Sequence, residues 1–85
     1  MQKFFIGFAS LVAPLLTLAG PVNINTADAE TIASELTGIG LAKAKAIVEY
    51  RRQNGDFDVP EELLKVKGIG PRVLAANQRD IHTED

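Results

Sequence analysis

Six residues, Thr37-Gly38-Ile39-Gly40-Leu41-Ala42, return thirty positions later as Lys67-Gly68-Ile69-Gly70-Pro71-Arg72, so one short chain carries two Gly-Ile-Gly turns, each followed by a helix-like run. Glycine reaches positive φ and lets another group come close to the backbone. Two glycines around one apolar residue make a tight turn whose centre points inward. The helix that starts after such a turn leaves its first N–H groups without intrahelical partners, an arrangement suited to an anion.

Length sets the scale of the core that two such units can share. At 85 residues, 46% of them hydrophobic and 24% charged, the chain suits one small domain and not two. Cysteine is absent, so no disulfide framework and no thiolate metal site holds the fold, and the single histidine, His82, cannot assemble a zinc site alone. No cofactor and no metal is expected. Helix packing must supply the stability.

Helix signals recur along the chain. Thr26 is a candidate N-cap, followed by Asp28 and Glu30 where helix starts favour negative charge, and Ala29, Ile32, Ala33 and Leu36 fall at helical spacing. A first helix is therefore predicted over Ala27 to Leu36 and a second, longer one over Leu41 to Gln53, stopped by Asn54-Gly55. Asp58 to Glu61 has the form of a capping box opening a short third helix through Leu63, Leu64 and Val66. Pro71 stands at the first position of a fourth, where its missing N–H is harmless, with Val73, Leu74 and Ile81 as its apolar contacts. The expected fold is all-α: a compact four-helix domain of two helix-turn-helix units related by an approximate internal two-fold, with Phe57 as the plug between them.

The first nineteen residues read differently. Met1-Gln2-Lys3 precedes an almost wholly apolar run from Phe4 to Leu18, the layout of a secretory signal peptide, with cleavage expected after Ala19. A retained membrane anchor is the competing reading, although an apolar run interrupted by Pro14 falls short of the roughly 20 residues that span hydrocarbon. The expected organisation is thus a leader over 1–19, a lead-in over 20–25, the paired helical domain over 26–81 and a frayed tail over 82–85, in an exported protein, periplasmic or secreted.

Net charge speaks against binding driven by a broad electrostatic field. The chain has 9 basic and 11 acidic residues, and loss of a leader containing Lys3 leaves 8 against 11, or −3. The distribution is uneven, however. Lys43 and Lys45 follow Gly40 closely, Lys67 precedes Gly68 and Arg72 follows Gly70, although cations near a helix N-terminus are unfavourable by about 0.3 to 1 kcal/mol each. An anion on the turn N–H groups reverses that sign, and phosphate is the obvious one. A pair of such turns could hold the phosphates of both strands of a duplex and read no bases. The candidate phosphate-binding residues are Gly38, Ile39, Gly40, Ala42, Lys43 and Lys45 in the first copy and Lys67, Gly68, Gly70 and Arg72 in the second. The first copy, with two lysines, is the expected stronger seat. Arg51-Arg52 suits either the helix dipole or DNA contact.

The ordered series Asn23-Ile24-Asn25-Thr26-Ala27, Gly38-Ile39-Gly40, Ala44-Ile47-Tyr50-Arg51, Gly55-Asp56-Phe57, Glu61-Glu62-Leu63 and Val66-Lys67-Gly68-Ile69-Gly70 closely resembles the paired helix-hairpin-helix domain of ComEA-type competence proteins. The resemblance spans Val22 to about Ile81, and the short leader is similar to that of the small soluble periplasmic members. It implies a non-enzymatic, sequence-independent receptor for double-stranded DNA that acts in DNA uptake, with envelope uptake proteins as further partners. Two positions depart from the family pattern: Thr37 stands where proline is common, and Leu74 where a small residue usually follows Gly70 by four. An envelope protein-protein interaction module is the alternative reading. An enzyme is disfavoured, since catalysis needs an acid-base pair, a nucleophile or a metal in a pocket, and His82 and the capping residues Glu61-Glu62 offer none of these.

Overall fold

The computed structural model describes residues 20–84. The leader expected over 1–19 and its cleavage after Ala19 lie outside the described residues. Within them the order is β1 (Val22–Asn23), α1 (Ala29–Glu35), α2 (Leu41–Asn54), a 3-10 helix (Pro60–Lys65), α3 (Pro71–Asn77) and β2 (Ile81–His82). The domain is mostly helical, as expected, and its four helical segments fall in the predicted places.

Local chemistry accounts for each boundary. Helix α1 starts two residues later than predicted because Asp28, and not Thr26, is its cap: the Asp28 carboxylate accepts from the Thr31 N–H at 2.8 Å. That hydrogen bond, assisted by the Thr31 side chain and the Arg51 charge, holds the Asp28 carboxyl below its ordinary value. Helix α2 ends at Gly55, whose φ of +92° is open to glycine and whose N–H donates to the Arg51 carbonyl. The third segment is tighter than the α-helix expected. Val59 precedes it, Pro60 opens it, and the carboxylate that closes back on the Asp58 N–H, at 2.8 Å, belongs to Glu62 and not to Glu61.

One core joins these pieces. Ile24, Ile32, Ile39, Ala44, Ile47, Phe57, Leu63, Val66, Ile69, Leu74 and Ile81 are all buried in it. The repeat is visible there, since Leu36 and Val66, Ile39 and Ile69, and Ala44 and Leu74 are counterparts thirty residues apart and each pair is buried. Leu74 therefore fills with a larger side chain the place that Ala44 holds in the first copy. Phe57 is the plug expected: it is buried, and its ring stacks on Tyr50 with centroids 5.4 Å apart and planes 16° from parallel.

The chain ends differ from expectation. His82 and Thr83, in the tail expected to fray, are held: β2 pairs in parallel with β1, Val22 opposite Ile81 and Asn23 opposite His82, and the Thr83 hydroxyl donates to the Asp58 carbonyl at 3.2 Å. Ile81 is thus a buried strand residue and not part of the fourth helix. Asn25 completes the closure. Its Nδ2 donates to the carbonyls of Phe57 and Thr83, both at 2.9 Å, while its Oδ1 accepts from the Phe57 N–H at 2.7 Å. Lead-in, inter-hairpin connection and chain end meet on one side-chain amide.

Candidate functional site

Each Gly-Ile-Gly turn divides its labour in the same way. The first glycine carries the positive φ, +76° at Gly38 and +97° at Gly68. The central isoleucine is buried, so Ile39, named above among the candidate contacts, faces the core with its side chain and has only its backbone for a ligand. The second glycine caps a helix. Gly40 (φ −78°, ψ 178°) precedes α2 and Gly70 (φ −110°, ψ 176°) precedes α3, and neither cap supplies a side-chain hydrogen bond.

Those second glycines are explained neither by backbone nor by packing. Both have φ values that any residue adopts, and a Cβ built on either meets nothing within 4 Å. A serine or aspartate there would cap the helix better. Glycine leaves the approach clear to the first N–H groups of α2, from Leu41 on, and of α3, where Pro71 has none and Arg72 supplies the first.

The two turns lie together, joined by reciprocal contacts. A Cβ on Gly68 would lie 3.6 Å from Cγ and 3.9 Å from Cε of Lys43, and a Cβ on Gly38 would lie 3.9 Å from Cγ2 of Val73. Lys43 and Val73 are themselves counterparts in the repeat, five residues after Gly38 and Gly68. Each half thus lays one side chain from its second helix over the glycine of the other half, which is the expected two-fold in concrete form. Asn77 strengthens the junction. It is 1% exposed, its Oδ1 accepts from the Thr37 N–H at 2.7 Å, and its Nδ2 donates to the carbonyls of Thr37 at 2.8 Å and Val73 at 2.9 Å.

The remaining candidates stand around this pair of turns. Ala42, Lys45, Lys67 and Arg72 are exposed, and Lys43 is half-buried by its stem. Among the described residues, Lys43, Lys45, Lys67 and Arg72 make no ion pair, whereas Arg52 pairs with Glu49 at 3.1 Å and Lys65 with Glu62 at 3.8 Å. The double arginine also resolves. Arg51 donates from Nη1 to the Ile24 carbonyl at 2.6 Å, so it braces the lead-in, while Arg52 is held on the α2 surface by Glu49. Among the described residues no group of histidine and acidic side chains is placed to hold a metal ion.

Comparison with known proteins gives this geometry its relatives. A protein of Haemophilus influenzae, itself uncharacterized, is 49% identical over 67 residues, covering 79% of this chain and 59% of the relative. ComE operon protein 1 of Bacillus subtilis is 47% identical over 51 residues, 60% of this chain and 24% of that protein, which upholds the ComEA-type resemblance. The human S1 RNA-binding domain-containing protein 1 is 38% identical over 63 residues, 74% of this chain and 6% of that much longer protein. The chain thus spans 59% and 24% of the length of the first two relatives. No solved structure matches it significantly. A family model described as the helix-hairpin-helix motif matches residues 19–82, which takes in both Gly-Ile-Gly turns and the four helical segments around them. The chain belongs to the helix-hairpin-helix family.

Proposed function

We propose that this protein binds double-stranded DNA without sequence preference, holding backbone phosphates on the amides of the paired hairpin turns with Lys43, Lys45, Lys67 and Arg72 around them. The observation that carries the reading is the pair Gly40 and Gly70, where neither conformation nor packing requires glycine. A missing side chain in front of uncovered N–H groups is what close approach by a phosphate requires. The unpaired cations supply the charge that such a ligand would neutralise, and a contact set confined to backbone leaves base sequence unread.

The proposal extends to a wider role. As an exported, non-enzymatic receptor, the domain would hold incoming duplex during DNA uptake. The likeness to ComE operon protein 1 and the apolar leader support that reading.

The test is a titration of the domain against random duplexes at several salt concentrations. If about two to four phosphates are neutralised, log affinity falls against log salt with a slope of about −2 to −4, equally for all duplexes. No binding at low salt would remove the proposal. Recovery of an envelope protein in pull-downs that survive nuclease would then favour the protein-interaction reading.

A further inference from the structure

The repeat makes the two turns comparable residue by residue, and one contact has no counterpart. Thr37 and Lys67 precede the turns, and Ile47 and Asn77 stand at matching places on the helices that follow them. Asn77, buried on α3, holds both the N–H and the carbonyl of Thr37. Ile47, also buried, carries no polar atom and can give the backbone of Lys67 no such clamp. The second half therefore fixes the approach to the first turn, and the first half does not return the favour through this position. The place fixed is a sensitive one. Gly38, the next residue, has a φ of +76°, and glycine has more backbone freedom to lose on ordering than any other residue.

We infer that Asn77 is a positioning residue for duplex binding: from α3 it holds the first turn, Gly38 to Gly40, in the shape that meets the DNA backbone. The inference rests on the DNA-binding reading above and adds to it a dependence of the first hairpin on the second. Asn77 itself meets no ligand, because its three polar contacts all lie inside the protein. Packing alone does not call for it either, since isoleucine fills the matching place in the first copy. What the amide adds is order, and apparent affinity falls in proportion to the fraction of molecules that hold the binding shape.

Duplex titrations of the unsubstituted chain, Asn77→Ala, Ile81→Val and the double variant Thr37→Pro/Asn77→Ala test this, each at a temperature where circular dichroism without DNA shows a folded domain. Ile81→Val trims the core at the β1–β2 pair and leaves the clamp intact, so it reports what lost stability alone does. In the double variant the proline ring fixes the backbone at 37 in place of the amide. Leu36, with φ −107° and ψ 135°, already has the extended conformation that a following proline demands. If about a tenth of the Asn77→Ala molecules keep the turn in shape, that variant binds about tenfold more weakly. Its salt slope is unchanged, because no cation is removed. Ile81→Val binds like the unsubstituted chain, and the double variant regains most of the affinity. Full affinity in Asn77→Ala, an equal loss in Ile81→Val, or no recovery in the double variant overturns the assignment while leaving DNA binding standing. Absence of binding by the unsubstituted chain at low salt overturns the DNA-binding reading and the assignment with it.

Discussion

Asn77 closes both backbone hydrogen-bonding groups of Thr37, accepting from its N–H at 2.7 Å and donating to its carbonyl at 2.8 Å, and so ties the end of α3 to the residue before Gly38. In the repeat, Asn77 is the counterpart of the fully buried Ile47. One buried position is thus apolar in the first copy and a hydrogen-bonding clamp in the second. Thr37 stands where proline is common in the family, and a proline there would have no N–H to give Asn77.

Replacing Asn77 should therefore loosen the first turn as well as the core. Asn77→Ala removes three hydrogen bonds and leaves the Thr37 groups to find other partners, a loss of about 1 to 3 kcal/mol. Urea unfolding measures the loss, and hydrogen exchange at the Gly38 and Ile39 amides locates it. A stability within error of the unsubstituted chain would show that the clamp contributes nothing.

The two glycines of each turn should respond oppositely. At Gly38, with φ +76°, alanine is strained and should destabilise the domain by roughly 1 to 2 kcal/mol. At Gly40 serine meets open space and adds a side-chain cap, so stability should hold or rise by about a few tenths of a kcal/mol while duplex affinity falls. Thermal unfolding and a binding isotherm on the same samples separate the two effects. Full affinity in Gly40→Ser would mean that no ligand comes close to that backbone.

Acid sensitivity should enter through Asp28. Its folded-state carboxyl lies below the ordinary value of 3.8, chiefly because the ionised form accepts from the Thr31 N–H. A depressed carboxyl contributes stability that is present above the unfolded value, and this is lost as pH falls through the folded one. Asp28→Asn retains an oxygen acceptor and does not titrate. Urea midpoints taken from neutral pH into acid should fall more steeply for the natural chain than for the variant, and parallel curves would refute the linkage.

The sequence makes the helical frame and the turns legible because their signals are local. Gly38, Gly68 and Gly55 sit where a positive φ is required, Pro71 opens α3, and Phe57 fills the gap between the halves, each readable from residue type and spacing. The misplaced details are cases in which a near neighbour competed, as when Asp28 displaced Thr26 as cap or Glu62 took the place of Glu61. What stayed hidden depends on partners far along the chain. A strand of two residues has no alternation to detect, so the pairing of Val22–Asn23 with Ile81–His82 left no pattern. Nothing local marks Asn77, whose partner Thr37 lies forty residues away. The contact of the Lys43 stem with Gly68, twenty-five residues on, is likewise one that proximity in sequence does not display.

The parallel pairing of β1 with β2 bears on the order in which this chain becomes a protein. Val22 and Ile81 are buried partners drawn from opposite ends of the domain, and Ile24 donates its N–H to the His82 carbonyl at 2.9 Å. Contacts of such long sequence separation carry a loop-closure cost that must be met before they stabilise the fold. A chain holding only the first hairpin lacks Ile81 and His82, the strand that covers its lead-in, so Val22 and Ile24 find their native partners only when both hairpins are present.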